Sequence, residues 1–262
     1  MGSNEKKLSQ ILSERFPSTD LDSLNRIAKL QDRVDRKYVL PYEIVNSLLK
    51  TISVDGAVLE IDGERSTRYQ STYFDTPELK LHRDAAYKKR PRFKARTRHY
   101  ISNNTGMLEV KLKDGRGKTI KHRCNYDIKN LQTLTEDAKQ FIDNCTKQKR
   151  ISEYMNPTLT SRYQRMTIVD RSSSTRLTCD EYLTCTDWLG SSVSLDLVIL
   201  ETKSSGHASP FDKWLWEHHH RPVRISKYCT SLAVLHPELP ANRWHRTIKD
   251  FFIGTGKTDL VT

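Results

Sequence analysis

Arg92-Phe93-Lys94-Ala95-Arg96-Thr97-Arg98-His99-Tyr100 alternates cation and filler from Arg92 to His99. In an extended strand, residues two apart share a face. Arg92, Lys94, Arg96 and Arg98 therefore lie on one side, with Phe93, Ala95, Thr97 and His99 on the other. The pattern recurs outward from here. Leu108, Val110 and Leu112 oppose Glu109, Lys111 and Lys113; Ile120, His122 and Cys124 oppose Lys121 and Arg123. Upstream, Arg33, Asp35 and Lys37 oppose Val34, Tyr38 and Leu40, and downstream Glu201 and Lys203 share a face with Ile199. Any one of these faces reads as the solvated side of an antiparallel sheet. Taken together they lean cationic in strand after strand, although like charges across a ladder are destabilising. Cations ~4–6 Å apart repel by ~1 kcal/mol or more at surface-like dielectric, so the arrangement makes sense around an anion carrying many charges.

The whole chain agrees. Its 262 residues hold 44 Lys and Arg against 32 Asp and Glu, a formal charge of +12, and only 36% are hydrophobic. That fraction is low for a parallel α/β enzyme whose strands are buried on both faces. No window approaches ~18 uninterrupted apolar residues, which excludes a membrane-spanning helix. The start, MGSNEKKLSQ, has neither a secretory core nor a myristoylation pattern. Five cysteines, an odd number with no Cys-x-x-Cys pair, suit reduced thiols in a cytoplasmic setting.

Residues 8–16 and 21–31 read as short amphipathic helices broken at Pro17, with Ser18, Thr19 or Asp20 available to cap the second. Strands are expected at 33–40, 67–74, 92–101, 107–113, 119–126, 159–169, 175–184 and 194–202, with helices near 41–51, 77–85, 135–149, 209–219 and 227–235. Eight strands without steady β-α-β alternation predict an α+β fold with a mostly antiparallel sheet. Nucleic-acid surfaces interleave cations with exposed aromatics, whereas the Tyr and Phe residues here fall mostly on the apolar faces. Closing the sheet into an eight-stranded barrel would turn the cations inward. The expected result is a pore for a slim phosphate chain, ringed by helices, with no nucleic-acid partner.

These residues resemble the VTC domain, the polyphosphate polymerase branch of the triphosphate tunnel metalloenzymes, which also include the CYTH adenylate cyclases and thiamine triphosphatases. The resemblance is carried in order by Asp35-Arg-Lys37-Tyr38, Tyr73-Phe-Asp75-Thr-Pro77, Arg96-Thr-Arg98-His-Tyr100, Leu108-Glu-Val-Lys111, Lys118-Thr-Ile-Lys121, Tyr163-Gln-Arg165, Arg176-Leu-Thr-Cys-Asp180, Ile199-Leu-Glu201-Thr-Lys203 and Arg224-Ile-Ser226-Lys227-Tyr228. It implies a helical extension over 1–31, a tunnel domain over 32–236 and a tail over 237–262. It further implies that Lys37, Arg96, Arg98, Lys111, Lys121, Arg165 and Arg176 grip phosphates as catalytic cations, joined by Lys227. Tyr163, Lys203, Arg224 and Ser226 would contact the phosphates of nucleotide or product, and Glu201 would bind Mn²⁺ or Mg²⁺. Two positions depart from the wider pattern. Arg33 and Asp35 stand where the CYTH branch opens with two glutamates, which agrees with the polymerase branch. A polymerase Arg aligns near Ala85, with Arg83 or Arg90 as its substitutes.

The implied function is transfer of the ATP γ-phosphate to inorganic polyphosphate, releasing ADP. Such chemistry asks for positioning and charge neutralisation more than covalent catalysis. Hydrolysis of tripolyphosphate or a nucleoside triphosphate would use the same lining. A non-catalytic polyphosphate- or RNA-binding module would not need the carboxylate of Glu201, whose bland alternative is an ion pair to Lys203. Gly254-Thr-Gly256-Lys257-Thr258 lacks the first glycine of a P-loop, since residue 251 is Phe. His218, His219 and His220 read as a helix end rather than a metal site.

Overall fold

The computed structural model describes residues 8–27 and 34–253. Arg33, the Gly254–Thr258 fragment and the last nine residues lie outside the described residues. In chain order the strands are β1 (Ser18–Thr19), β2 (Val34–Leu40), β3 (Gly56–Leu59), β4 (Thr67–Asp75), β5 (Arg92–Tyr100), β6 (Thr105–Lys113), β7 (Thr119–Asn125), β8 (Asn156–Asp170), β9 (Thr175–Asp187), β10 (Ser192–Leu195) and β11 (Val198–Ser204). The helices are α1 (Leu8–Arg15), α2 (Leu21–Ile27), α3 (Tyr42–Thr51), α4 (Lys80–Ala86), α5 (Glu136–Thr146), α6 (Pro210–Glu217), α7 (Lys227–Leu235) and α8 (His245–Ile248). Eight strands form an antiparallel hydrogen-bonded order, β2-β11-β9-β8-β4-β5-β6-β7, and the architecture is α+β. The chain forms two compact units, and the long strands β8 and β9 supply residues to both.

The first unit comprises residues up to 68 with 164–182 and 196–223. β11 pairs with β2 on one side and β9 on the other, so Glu201 lies opposite Lys37 and Thr178, and Lys203 opposite Asp35 and Arg176. The apolar faces of these strands bury Tyr38, Leu40, Leu177, Cys179 and Leu200 against Val45, Leu48 and Leu49 of α3, Leu8 and Leu12 of α1 and Phe211 of α6. Asp20 caps α2, accepting the Ser23 N–H at 2.7 Å. Ser209 and Asp212 form a capping box at the start of α6.

The second unit contains residues 69–163, 183–195 and those from 224 onward. β5 pairs with β4 and β6, and β6 with β7. Phe93, Ala95, Leu108 and Val110 pack against Ala138 and Ile142 of α5, so the alternation in the quoted stretch is a core face and a cationic face. Asp75 anchors the start of α4, accepting N–H groups of Leu81 and His82 at 2.8 and 2.9 Å and the Tyr228 hydroxyl at 2.6 Å. The Asp75-Thr-Pro77 motif and the Lys227-Tyr228 motif thus meet in one hydrogen bond.

Three short strands were not expected. β1 and β3 pair with each other in parallel, and β10 with β9. The expected strand over 194–202 is two strands, β10 ending at Leu195 and β11 starting at Val198. The helix expected over 135–149 stops at Thr146, where Lys147 turns left-handed at φ 57°. All five cysteines are free thiols.

Candidate functional site

In the second unit the cations of β5 and β7 converge on a carboxylate. Glu109, opposite Arg96 in the β5–β6 register, is 2% exposed. Its Oε2 accepts from Arg96 Nε at 2.8 Å and lies 3.7 Å from an Arg98 nitrogen, while Lys121 pairs closely with Oε1. Burial pushes the Glu109 carboxyl toward protonation, yet Arg96, Arg98 and Lys121 together hold it well below the usual carboxylate range. Burial likewise works against charge on Lys121, only partly offset by Glu109. One carboxylate among three cations leaves an excess of positive charge for an anion.

Aromatic rings order the same cations. Arg96 donates to the Tyr73 hydroxyl at 3.1 Å, and Arg98 to the Tyr163 hydroxyl at 3.2 Å. Tyr73 stacks on Tyr228 at 5.0 Å and Tyr163 on Tyr69 at 5.3 Å. Lys227 Nζ sits 4.4 Å from the Tyr163 ring centre. Ser226 caps α7 through the Cys229 N–H and accepts from Lys94 Nζ at 2.7 Å. Helix N-termini with nearby cations favour anions. Of the expected residues, Arg96, Arg98, Lys121, Tyr163, Ser226 and Lys227 thus enter one connected set of contacts. Lys111 is exposed, opposite Lys94 and Lys121 in register. Arg224 is exposed, and its carbonyl accepts the Thr247 hydroxyl.

In the first unit Glu201 Oε2 accepts from Lys203 Nζ at 3.3 Å, so the in-strand ion pair is present, and Oε1 lies 3.9 Å from Lys37 Nζ. Burial lowers the Lys203 pKa while Glu201 works to raise it. Arg165 grips Asp180 with two nitrogens, at 2.5 and 2.7 Å. That bidentate pair makes Arg165 a strand-to-strand clamp in this state. Arg176 donates to Asn25 Oδ1 at 3.2 Å.

The donor chemistry around Glu201 limits what it could hold. Among the described residues no group of three or more His, Cys, Asp or Glu side chains comes together as a metal cluster. One carboxylate beside two ammonium groups fits a divalent ion that arrives with phosphate oxygens as its remaining ligands, which is common for Mg²⁺. It does not fit a preformed, all-protein metal cage.

Glu109 and Asp180 escaped the sequence reading as organisers of cations. A usable signal existed for Glu109, an acid on a face that otherwise carries Lys111 and Lys113. Tyr73, within the Tyr73-Phe-Asp75 motif, likewise holds Arg96. Of the two substitutes for the polymerase arginine, Arg83 is exposed and donates to the Glu78 carbonyl at 2.9 Å, whereas Arg90 lies near Arg92 and Lys113.

The family model described as the VTC domain matches residues 32–236. No curated protein matches the chain. Among solved structures, a candidate adenylate cyclase from Vibrio parahaemolyticus is similar at 14% identity and TM-score 0.44, over 78% of this chain and 99% of that one. The Hippeastrum protein HpAC1, described as a candidate adenylyl cyclase with a dominant triphosphatase activity, is similar at 12% identity and TM-score 0.45, over 77% and 95%. Among the described residues no helix is long and apolar enough to cross a membrane.

Proposed function

Because the chain belongs to the VTC-domain family, we propose that it is an ATP-dependent polyphosphate polymerase. The observation that carries this reading is the Arg96–Arg98–Lys121 cluster on Glu109, cations fixed in place yet in excess over their acid. An ionised terminal phosphate oxygen of the chain attacks the γ-phosphorus of ATP. A new P–O bond forms, and the bond to the β–γ bridging oxygen breaks with its electron pair leaving on ADP. No proton must move, so no general base is required. The obstacle is repulsion between two anions, which positioned cations offset.

In this reading Arg96 and Arg98 grip phosphate oxygens, their planar forks held in orientation by Glu109, Tyr73 and Tyr163. Lys121 and Lys111 add charge from the neighbouring strands. Lys227 and Ser226 contact phosphates at the start of α7, Arg224 contacts those of the product chain further along, and Tyr163 supports Lys227 from its ring face. Lys37, Lys203, Arg165 and Arg176 serve as the phosphate-binding cations of the first unit, where Arg165 must exchange some of its hold on Asp180 for phosphate. Mg²⁺ or Mn²⁺, held by Glu201 with phosphate oxygens, would neutralise charge on the transferred group.

The test is to incubate the purified protein with ATP and Mn²⁺ or Mg²⁺ and to resolve products on a gel stained for polyphosphate, with ADP quantified in parallel. Long chains with matching ADP are expected. Free phosphate without chains would make the protein a hydrolase, and unchanged ATP would make it a binding module.

A further inference from the structure

Arg98, Arg96 and Lys94 do not end the cationic face of β5. The next residue on that face, Arg92, lies ~13 Å from Arg96 at ~3.3 Å per strand residue, opposite Lys113 of β6. The charges of Arg243 and Arg90, added to burial, lower the pKa of Arg92 and of Lys113. Arg224 has the same effect on Arg243. A cavity of ≈ 270 Å³ opens here, lined by Ala86, Tyr87, Lys88, Arg224, Asn242 and Arg243.

This group lacks the carboxylate that organises Arg96 and Arg98. Among the described residues Lys88, Arg90, Arg92, Lys113, Arg224 and Arg243 have no ion-pair partner, and nearby Asp84 is taken by Lys80 and Lys89. Arg243 donates weakly to the Ala85 carbonyl at 3.4 Å, and its Nε is buried with no hydrogen-bond partner. A buried donor without a partner is costly, and so is a knot of unpaired cations. An anion with several acceptor oxygens would relieve both. The cavity has room for a phosphate unit or two, and a cationic stripe through Lys94 leads to it from Arg96.

We propose that this cavity is a second phosphate station, holding a polyphosphate chain by a segment remote from its reacting end. The inference rests on polyphosphate being the substrate, but it concerns binding and not turnover. It predicts that long chains gain affinity over short ones through Arg243 and Lys88.

The experiment measures equilibrium binding of the full chain, without ATP or metal, to tripolyphosphate and to a fluorescently labelled long polyphosphate. Arg243→Gln and Lys88→Asn are compared with wild type, each checked for an unchanged melting temperature. Lys88 is exposed at φ 58°, a conformation asparagine tolerates, so this variant tests the site even if Arg243→Gln fails to fold. Expected is a loss of about tenfold for the long chain in each variant, with tripolyphosphate binding unchanged and Arg243→Lys restoring most of the loss. Orthophosphate at millimolar concentration should displace little of the long chain. Long-chain binding unchanged in both variants would overturn the proposal. So would equal losses for tripolyphosphate and the long chain, which would merge the cavity with the Arg96 cluster, or efficient displacement by orthophosphate, which would make it a free-phosphate site. Failure of the polymerase reading would appear separately, as absence of ADP and chains in the turnover assay.

Discussion

Replacing Glu109 by Gln keeps shape and removes one negative charge from among three cations. The carboxylate is 2% exposed, with Arg96, Arg98 and Lys121 at 24%, 7% and 42% side-chain exposure. Breaking a buried ion pair typically costs ~3–5 kcal/mol. Partial exposure of Arg96 and Lys121 favours the lower end, about 3 kcal/mol. In a chain of this size each kcal/mol moves the melting temperature by ~2–4 °C, so the variant should melt ~6–12 °C below wild type. Tripolyphosphate should close part of that gap, because a cluster without its internal acid binds an anion more tightly. Ligand at ~100 times its Kd stabilises the folded state by ~2.7 kcal/mol.

Acid supplies an independent check. The folded-state pKa of Glu109 lies below its ordinary 4.5. Its contribution is therefore complete above pH 4.5 and is lost as pH falls through the lower folded value. The stability difference between wild type and Glu109→Gln should shrink as pH drops below 4.5. Thermal unfolding followed by circular dichroism, with and without tripolyphosphate, measures all three effects. A variant that melts with wild type would refute the view that Glu109 is held by its cations. A gap that widens on adding tripolyphosphate would refute the charge argument, and make orientation the dominant role.

Glu181 lies on the face of β9 that also carries Leu177 and Cys179, and burial pushes its carboxyl up from 4.5 to about 7. Between those pH values the unfolded chain ionises while the fold keeps the proton, so stability falls as pH rises, by ~3 kcal/mol in all. Urea unfolding of Glu181→Gln should lose that slope; an unchanged slope would assign it elsewhere. Ser226→Ala removes the α7 cap and the acceptor of Lys94, and should cost ~1 kcal/mol in the same assay. Arg165→Ala removes the bidentate partner of buried Asp180 and should destabilise by ~3–5 kcal/mol, most of it recovered on adding Asp180→Asn. Glu201→Gln should abolish ADP release without unfolding the protein; surviving turnover would remove Glu201 from the metal assignment.

The antiparallel sheet was legible because period-2 alternation is a local property that strand geometry enforces. Arg92 to Tyr100 sets Phe93 and Ala95 into the core beside α5, as their spacing required. The pairs β1–β3 and β9–β10 were not legible. Ser18–Thr19 and Gly56–Leu59 are too short to show a period, and their pairing depends on distant chain segments. Identities of site residues were also easier to read than their partners. Nothing local to Arg165 announces Asp180, fifteen residues away across a hairpin, and nothing local to Asp75 announces Tyr228. Glu181 was hidden for another reason: an acid on a strand is read as outward-facing, and here the strand's packing overrides that preference.

Glu109 and Glu201 are both acids set among cations on antiparallel strands, and geometry separates what each can do. Glu109 is fully enclosed, with short bonds to Arg96 and Lys121. Moving it would strand a buried charge, so it acts as a fixed counter-ion that sets where the arginine forks point. Glu201 has 14% side-chain exposure, and its lysines stand off at 3.9 and 3.3 Å. These contacts are longer than the Arg96 and Lys121 pairs that hold Glu109, and a lysine ammonium on its flexible stem can turn to a phosphate oxygen when one is present. In the proposed reading that exchange would leave a carboxylate oxygen of Glu201 open to a divalent ion that brings phosphate oxygens as its other ligands. The tightly held acid is thus suited to order the cations, and the loosely held one to change partners.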